Sequence, residues 1–108
     1  MQITLKYNDK IDHPAVYGDE DVEVYIEDSA IGWVIHCYVH NWSKGVYIKL
    51  VDLLLDIQEH APRNEVYAFS FDDKLTKFAE MFGFYSIDTV TDGASGNKGE
   101  LMSLCAIQ

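Results

Sequence analysis

The hydrophobic pattern changes its period at Asn41-Trp42-Ser43-Lys44-Gly45, and this change constrains the fold more than any other feature. Before it, apolar residues recur at every second position. Val22, Val24 and Ile26 share one side of a strand spanning Val22 to Glu27. In the next strand, Trp33 to His40, Trp33, Ile35, Cys37 and Val39 share one side, and Val34, His36, Tyr38 and His40 share the other. After it, Val46, Leu50, Leu53, Leu54 and Ile57 follow the spacing of a helix that runs to about His60. A strand, a polar turn and a long amphipathic helix are therefore expected in direct succession.

The remaining elements fall on either side of that junction. Gln2 to Tyr7 alternates like a half-exposed strand, and residues 8–21 read as an acidic loop containing Pro14 and Gly18. Asp28-Ser29-Ala30-Ile31-Gly32 forms a hairpin connection. Ser43 or Asn41 can cap the first helix, and Pro62 stops it. Glu65 to Phe71 is apolar on both alternating sides apart from Ser70, the pattern of a central strand. Asp72 or Asp73 then caps a second helix with Leu75, Phe78, Ala79 and Phe82 as its buried stripe. Gly83 suits the left-handed position beyond the helix end. Phe84 to Val90 and Glu100 to Ile107 read as final strands around a glycine-rich hairpin tip, Thr91 to Gly99. The expected order is β-β-β-α-β-α-β-β. It describes an α/β protein in the broad sense, with an α+β mixed sheet, and residues 1–108 form one domain.

Charge narrows the range of partners. Eighteen acids against eight bases give a net charge of −10, and the first 28 residues hold eight acids against two lysines. Such a field repels phosphate backbones, so direct nucleic-acid binding is not expected, and a basic protein partner is. No apolar run reaches the roughly 20 residues that span a bilayer. Cys37 and Cys105 sit singly in apolar strands, as small core residues of a reduced compartment do, and a cytoplasmic location is expected.

Two segments carry a family resemblance. Val39-His40-Asn41-Trp42-Ser43-Lys44-Gly45-Val46-Tyr47-Ile48-Lys49-Leu50 stands where the GNAT N-acetyltransferases have a strand, an Arg/Gln-x-x-Gly-x-Gly/Ala turn and a helix. Asp72-Asp73-Lys74-Leu75-Thr76-Lys77-Phe78-Ala79-Glu80-Met81-Phe82-Gly83-Phe84 looks like the family's Asn-led helix ending in Gly-Phe. Over roughly residues 22–107 the chain thus resembles a truncated GNAT-like fold, with the acidic loop replacing the two helices usual near its start. Small viral proteins carry GNAT-like domains trimmed in this way, so the resemblance admits a phage protein acting on a host protein in the host cytoplasm.

The resemblance implies acetyl-CoA as cofactor, gripped by backbone N–H groups at Lys44, Gly45 and Val46. Several positions depart from the family pattern. Tyr47 stands where the last small residue is expected, and Trp42 replaces Arg or Gln. Asp72 puts a carboxylate where an amide would donate to the cofactor. Ala79 has no proton for a leaving thiolate, the role the family often gives to Tyr. His36, His40 and Tyr85 are the remaining acid–base candidates. His36 and His40 lie about 13 Å apart at roughly 3.3 Å per strand residue, so one zinc ion cannot take both, and no metal site is expected.

The leading expectation is a GNAT-like domain that is non-catalytic or only weakly catalytic, with no cofactor unless it is enzymatic, acting as an acidic protein-binding module. Two helices cannot cover both faces of the sheet, and the bare part would present Glu23, Tyr25, Glu27, His36, Tyr38 and His40 as an exposed polar, aromatic surface. The alternatives are a minimal acetyl-CoA-dependent N-acetyltransferase acting on a protein or small amine, and a subunit of a homo-oligomer.

Overall fold

The computed structural model describes residues 15–105. Its elements in chain order are β1 (Ala15–Gly18), β2 (Val22–Ser29), β3 (Gly32–Val39), α1 (Lys44–His60), β4 (Glu65–Ser70), α2 (Asp73–Glu80), β5 (Tyr85–Thr91) and β6 (Lys98–Cys105), with a short 3-10 turn at Pro62–Asn64. The order β-β-β-α-β-α-β-β is present within this span, but its first strand is not the expected one. The expected strand Gln2 to Tyr7 lies outside the described residues. β1 instead falls within residues 8–21, which read as loop. At four residues β1 is too short to display a period of its own, and its pairing to β2 also shifts register between Ala15 and Tyr17.

The six strands form one mixed sheet in the order β1-β2-β3-β4-β6-β5. All neighbours are antiparallel except β3 and β4. Parallel neighbours require a crossover, and α1 supplies it, which explains the abrupt change of period after β3. The registered pairs between β3 and β4 are Trp33 with Val66 and Val34 with Tyr67. By contrast, β2 and β3 pair along their whole length, from Val22 with Val39 to Ser29 with Gly32.

Both helices pack on the same face of the sheet. From α1, Val46, Leu50, Leu54 and Ile57 join Val22, Val24, Ile35, Cys37, Val39, Val66, Met102 and Leu104 of the strands in one buried cluster. Phe78 and Ala79 of α2 complete it. Burial of Cys37 pushes its thiol pKa up to about 12, so it behaves as a small hydrophobe. The Ser43 hydroxyl accepts the Val46 N–H (3.1 Å) at the start of α1. The Asp72 carboxylate accepts the Lys74 N–H (2.7 Å) at the start of α2. At the end of α1 the Asn64 amide donates to the carbonyl of Glu59 (3.1 Å) and to that of Gln58 (3.4 Å), which also accepts from the Ala61 N–H (3.2 Å). His60 holds the Asp56 carbonyl through Nδ1 (2.8 Å), a bond that raises its pKa.

Asp19 fastens the β1–β2 turn to α1. One carboxylate oxygen accepts from the N–H groups of Asp21 (2.8 Å) and Val22 (3.0 Å). The other accepts from the Tyr17 hydroxyl (2.8 Å) and Lys49 Nζ (2.5 Å). The Lys49 bond, then the Tyr17 bond, hold the carboxyl well below the usual Asp range. A carboxyl with a lowered folded pKa contributes stability that is full above its unfolded pKa and lost as pH falls through the folded one. Urea unfolding should therefore show stability falling below about pH 4. In Asp19→Asn the protein should be less stable at neutral pH, and its decline on acidification should be shallower.

Gly99 of β6 is fixed by packing rather than by backbone angle. It is buried, and a Cβ there would collide with the Phe71 ring and the Ser70 carbonyl oxygen. Gly99→Ala is expected to cost about 1–3 kcal/mol through overpacking, measured by equilibrium urea unfolding.

Candidate functional site

Residues that alternate with the core positions face away from both helices. On β2 and β3 these are Glu23, Tyr25, Glu27, Val34, His36 and Tyr38, with Tyr25 opposite His36, Glu23 opposite Tyr38 and Glu27 opposite Val34. Hydrogen bonds tie them together. The Tyr25 hydroxyl donates to Glu23 Oε1 (2.6 Å), and His40 Nε2 lies 2.7 Å from Glu23 Oε2. These two contacts, Tyr25 first, lower the Glu23 pKa. His36 Nε2 meets Glu27 Oε1 at 2.8 Å. The Tyr25 and Tyr38 rings stand edge to face, 5.8 Å between centroids. On β4, the Tyr67 hydroxyl donates to Glu65 Oε1 (2.9 Å) on the same face.

The structure thus brings Glu23, Tyr25, Glu27, His36, Tyr38 and His40 together on one face. It corrects the expectation that this face is exposed throughout. His36 is only 4% exposed, and Val34 and Ser103 are also buried. Helices are not the only cover available to a sheet, because long side chains of neighbouring strands also occupy its face. The Tyr67 ring, for example, comes within 2.9 Å of where a Cβ on Gly32 would lie. Around this buried centre, Glu23, Tyr25, Glu27 and Tyr38 are half-buried and His40 is exposed.

Carboxylates occur on both sides of the sheet, with Asp52, Asp56 and Glu59 on α1 and Asp73 and Glu80 on α2, but the described lysines and arginine do not share that spread. Glu23, Glu27, Glu65 and Asp88 occupy strand positions on the helix-free face. No described Lys or Arg does. Lys44 and Lys49 are on α1, Lys74 and Lys77 on α2, and Arg63 is in the 3-10 turn. Lys98, on β6, alternates in phase with the core residues Met102 and Leu104.

The second candidate region is the start of α1, where Lys44, Gly45 and Val46 form the first helical residues. The Val46 N–H is taken by the Ser43 hydroxyl, and the Tyr47 N–H by the Ser43 carbonyl (3.0 Å). Beside it lies an aromatic cluster that bridges the two helices. Tyr47 packs on Phe82 (5.3 Å between centroids) and on Trp42 (6.3 Å). Trp42 packs on Phe78 (5.2 Å), and Phe78 on Phe82 (5.1 Å). The Tyr47 hydroxyl also donates to the Met81 carbonyl (3.3 Å). Behind this cluster the cavity lined by Ile35, Ala68, Ser70, Ala79 and Phe82 has a volume of only about 20 Å³.

Ala79 is buried in the core, and Asp72 is committed to capping α2. Tyr85 is exposed on edge strand β5, directly across from Ser103 and therefore on the helix-free face. Tyr85 and His36 are on the face away from the helices, and the His40 side chain is tied to Glu23 of that face. Among the described residues, no three His, Cys, Asp or Glu side chains converge on a metal-sized site, and no helix is long and apolar enough to cross a membrane. No family model, curated protein or solved structure matches the chain.

The aromatic bridge was only half legible in advance. Phe78 and Phe82 stand out as a helical stripe, but their contact with Trp42 and Tyr47 joins residues more than thirty positions apart (Tyr47 to Phe82). Phe78→Ala is expected to destabilise the protein by about 3–5 kcal/mol, since the ring is buried at the centre of the bridge. Tyr47→Phe, which loses only a long and exposed hydrogen bond, should change stability by less than about 0.5 kcal/mol in the same urea titration.

Proposed function

We propose that this chain is a GNAT-like domain that works by binding another protein through its helix-free face, without transferring an acyl group. The observation that carries this reading is that the carboxylates of the helix-free face have no described lysine or arginine among them. Glu23, Glu27, Glu65 and Asp88 share a face with Tyr25, Tyr38 and Tyr67, while the described basic residues lie on the helices, in the 3-10 turn or on the helix side of β6. Tyrosines supply rigid contact area at low entropic cost, and carboxylates steer a basic partner into place. The element order and the strand–turn–helix at Val39 to Leu50 support the GNAT-like assignment.

The region that would hold acetyl-CoA argues against transfer. An incoming diphosphate needs free N–H groups at a helix start, and of the three positions Lys44, Gly45 and Val46 the Ser43 hydroxyl already takes the N–H of Val46. Tyr47 and Trp42 fill the space beside them, and Ala79 offers no proton. The homo-oligomer reading has one observation in its favour. β5 is an edge strand, with Tyr85 and Ile87 exposed and main-chain groups available for pairing.

Thermal unfolding with acetyl-CoA tests the first choice. The melting temperature is expected not to move. A ligand at 100 times its Kd would stabilise by about 2.7 kcal/mol, and a shift of that size would establish the acetyltransferase alternative instead. Combined Tyr25→Ala and Tyr38→Ala substitution should abolish binding to a captured protein partner while the chain stays folded; undiminished binding would reject this face.

A further inference from the structure

The helix-free face also carries a groove. It runs between the β2–β3 turn, at Ser29 to Ile31, and the residues that close β5, Val90 to Gly93. Val34, Phe69, Phe71 and Val90 line it, Ile31 stands exposed at one end, and its volume is about 430 Å³. That size suits a bulky side chain or a small ligand, and the lining is apolar enough to reward burying one. The groove is built into the sheet, because Gly99 leaves the space in which the Phe71 ring lies.

Asp92 is the one charged side chain among the lining residues. The Ala94 N–H (3.1 Å) and the Ser95 hydroxyl (2.7 Å) hold its carboxylate in place, the Ser95 bond being the larger cause of its lowered pKa. With the Ser95 N–H also bonded to it, the carboxylate keeps one of its roughly four acceptor sites for a further donor. Glu27 lies across from Val34, and Asp88 lies two residues before Val90 on the same face. An apolar trough bordered by fixed negative charge disfavours an anion and favours an apolar group with a cation attached.

We propose that this groove receives a bulky apolar side chain from a partner protein's segment in which Lys or Arg stands beside that side chain, the cation meeting Asp92. The inference rests on the protein-binding reading of the same face and adds the chemistry of the partner. A second copy of this chain is a poorer occupant, since its charge of −10 opposes approach to an acidic face.

The test is selection of a random displayed peptide library on the immobilised full chain, followed by anisotropy titration of the consensus peptide. The consensus should pair one Phe, Trp, Leu or Met with adjacent Lys or Arg. Ile31→Lys and Asp92→Asn should each weaken its binding about ten-fold, with melting temperatures retained. An acidic or neutral consensus, no enrichment, or equal binding by both variants would overturn the proposal. Loss of binding in Tyr25→Ala/Tyr38→Ala alone would reject the groove and leave the wider face standing. Loss in Ile31→Lys and Asp92→Asn alone would support the groove and reject Tyr25 and Tyr38 as contacts. Sedimentation that finds a dimer dissociated by Ile31→Lys would assign the groove to self-association and overturn the proposal.

Discussion

Val46, Leu50, Leu54 and Ile57 of α1, seated on the strand residues Val24, Cys37 and Val66, form the contact on which the remaining structure depends. Because β3 and β4 are parallel, the chain must return across the sheet between them, and α1 makes that return while burying its stripe. α2 follows onto the same side, so one face of β2, β3, β4 and β6 becomes core. The opposite face must then be finished by its own side chains. Tyrosines hydrogen-bonded to glutamates meet this need, since a phenol covers area and its hydroxyl satisfies a carboxylate.

The same asymmetry separates the two candidate regions. At the start of α1, Trp42 and Tyr47 are recruited into a helix–helix bridge with Phe78 and Phe82, which favours packing over openness. A site that must admit a large anionic cofactor needs the reverse, with small residues beside its N–H groups. On the helix-free face, polar groups are concentrated and the described cations are absent from strand positions, and beside them lies an apolar groove. Recognition of a basic partner is consistent with that arrangement in both charge and shape.

Much of the secondary structure was legible because its signals are local. The period of two in Val22 to Val39, the period of 3.6 after Val46, and the cap candidates, Ser43 or Asn41 and Asp72 or Asp73, each lie within a few residues, and the structure selects Ser43 and Asp72. β1 escaped notice because its four residues take their geometry from β2 rather than from a pattern of their own. The alternation of β2 and β3 is enough to place Glu23, Tyr25, Glu27, His36 and Tyr38 on a common side. What alternation cannot reveal is how deeply each side chain is covered.

The chain's own order of residues determined which positions share a face, where each helix begins, and the sign of the surface charge, because these follow from spacing and composition. Tertiary structure alone decided that His36 is buried beside Glu27, that Tyr47 meets Phe82, and that Phe71 lies over Gly99 to shape a groove. Each of those outcomes depends on which distant segments become neighbours, and that is settled by how strands and helices pack, at separations over which sequence periodicity carries no information.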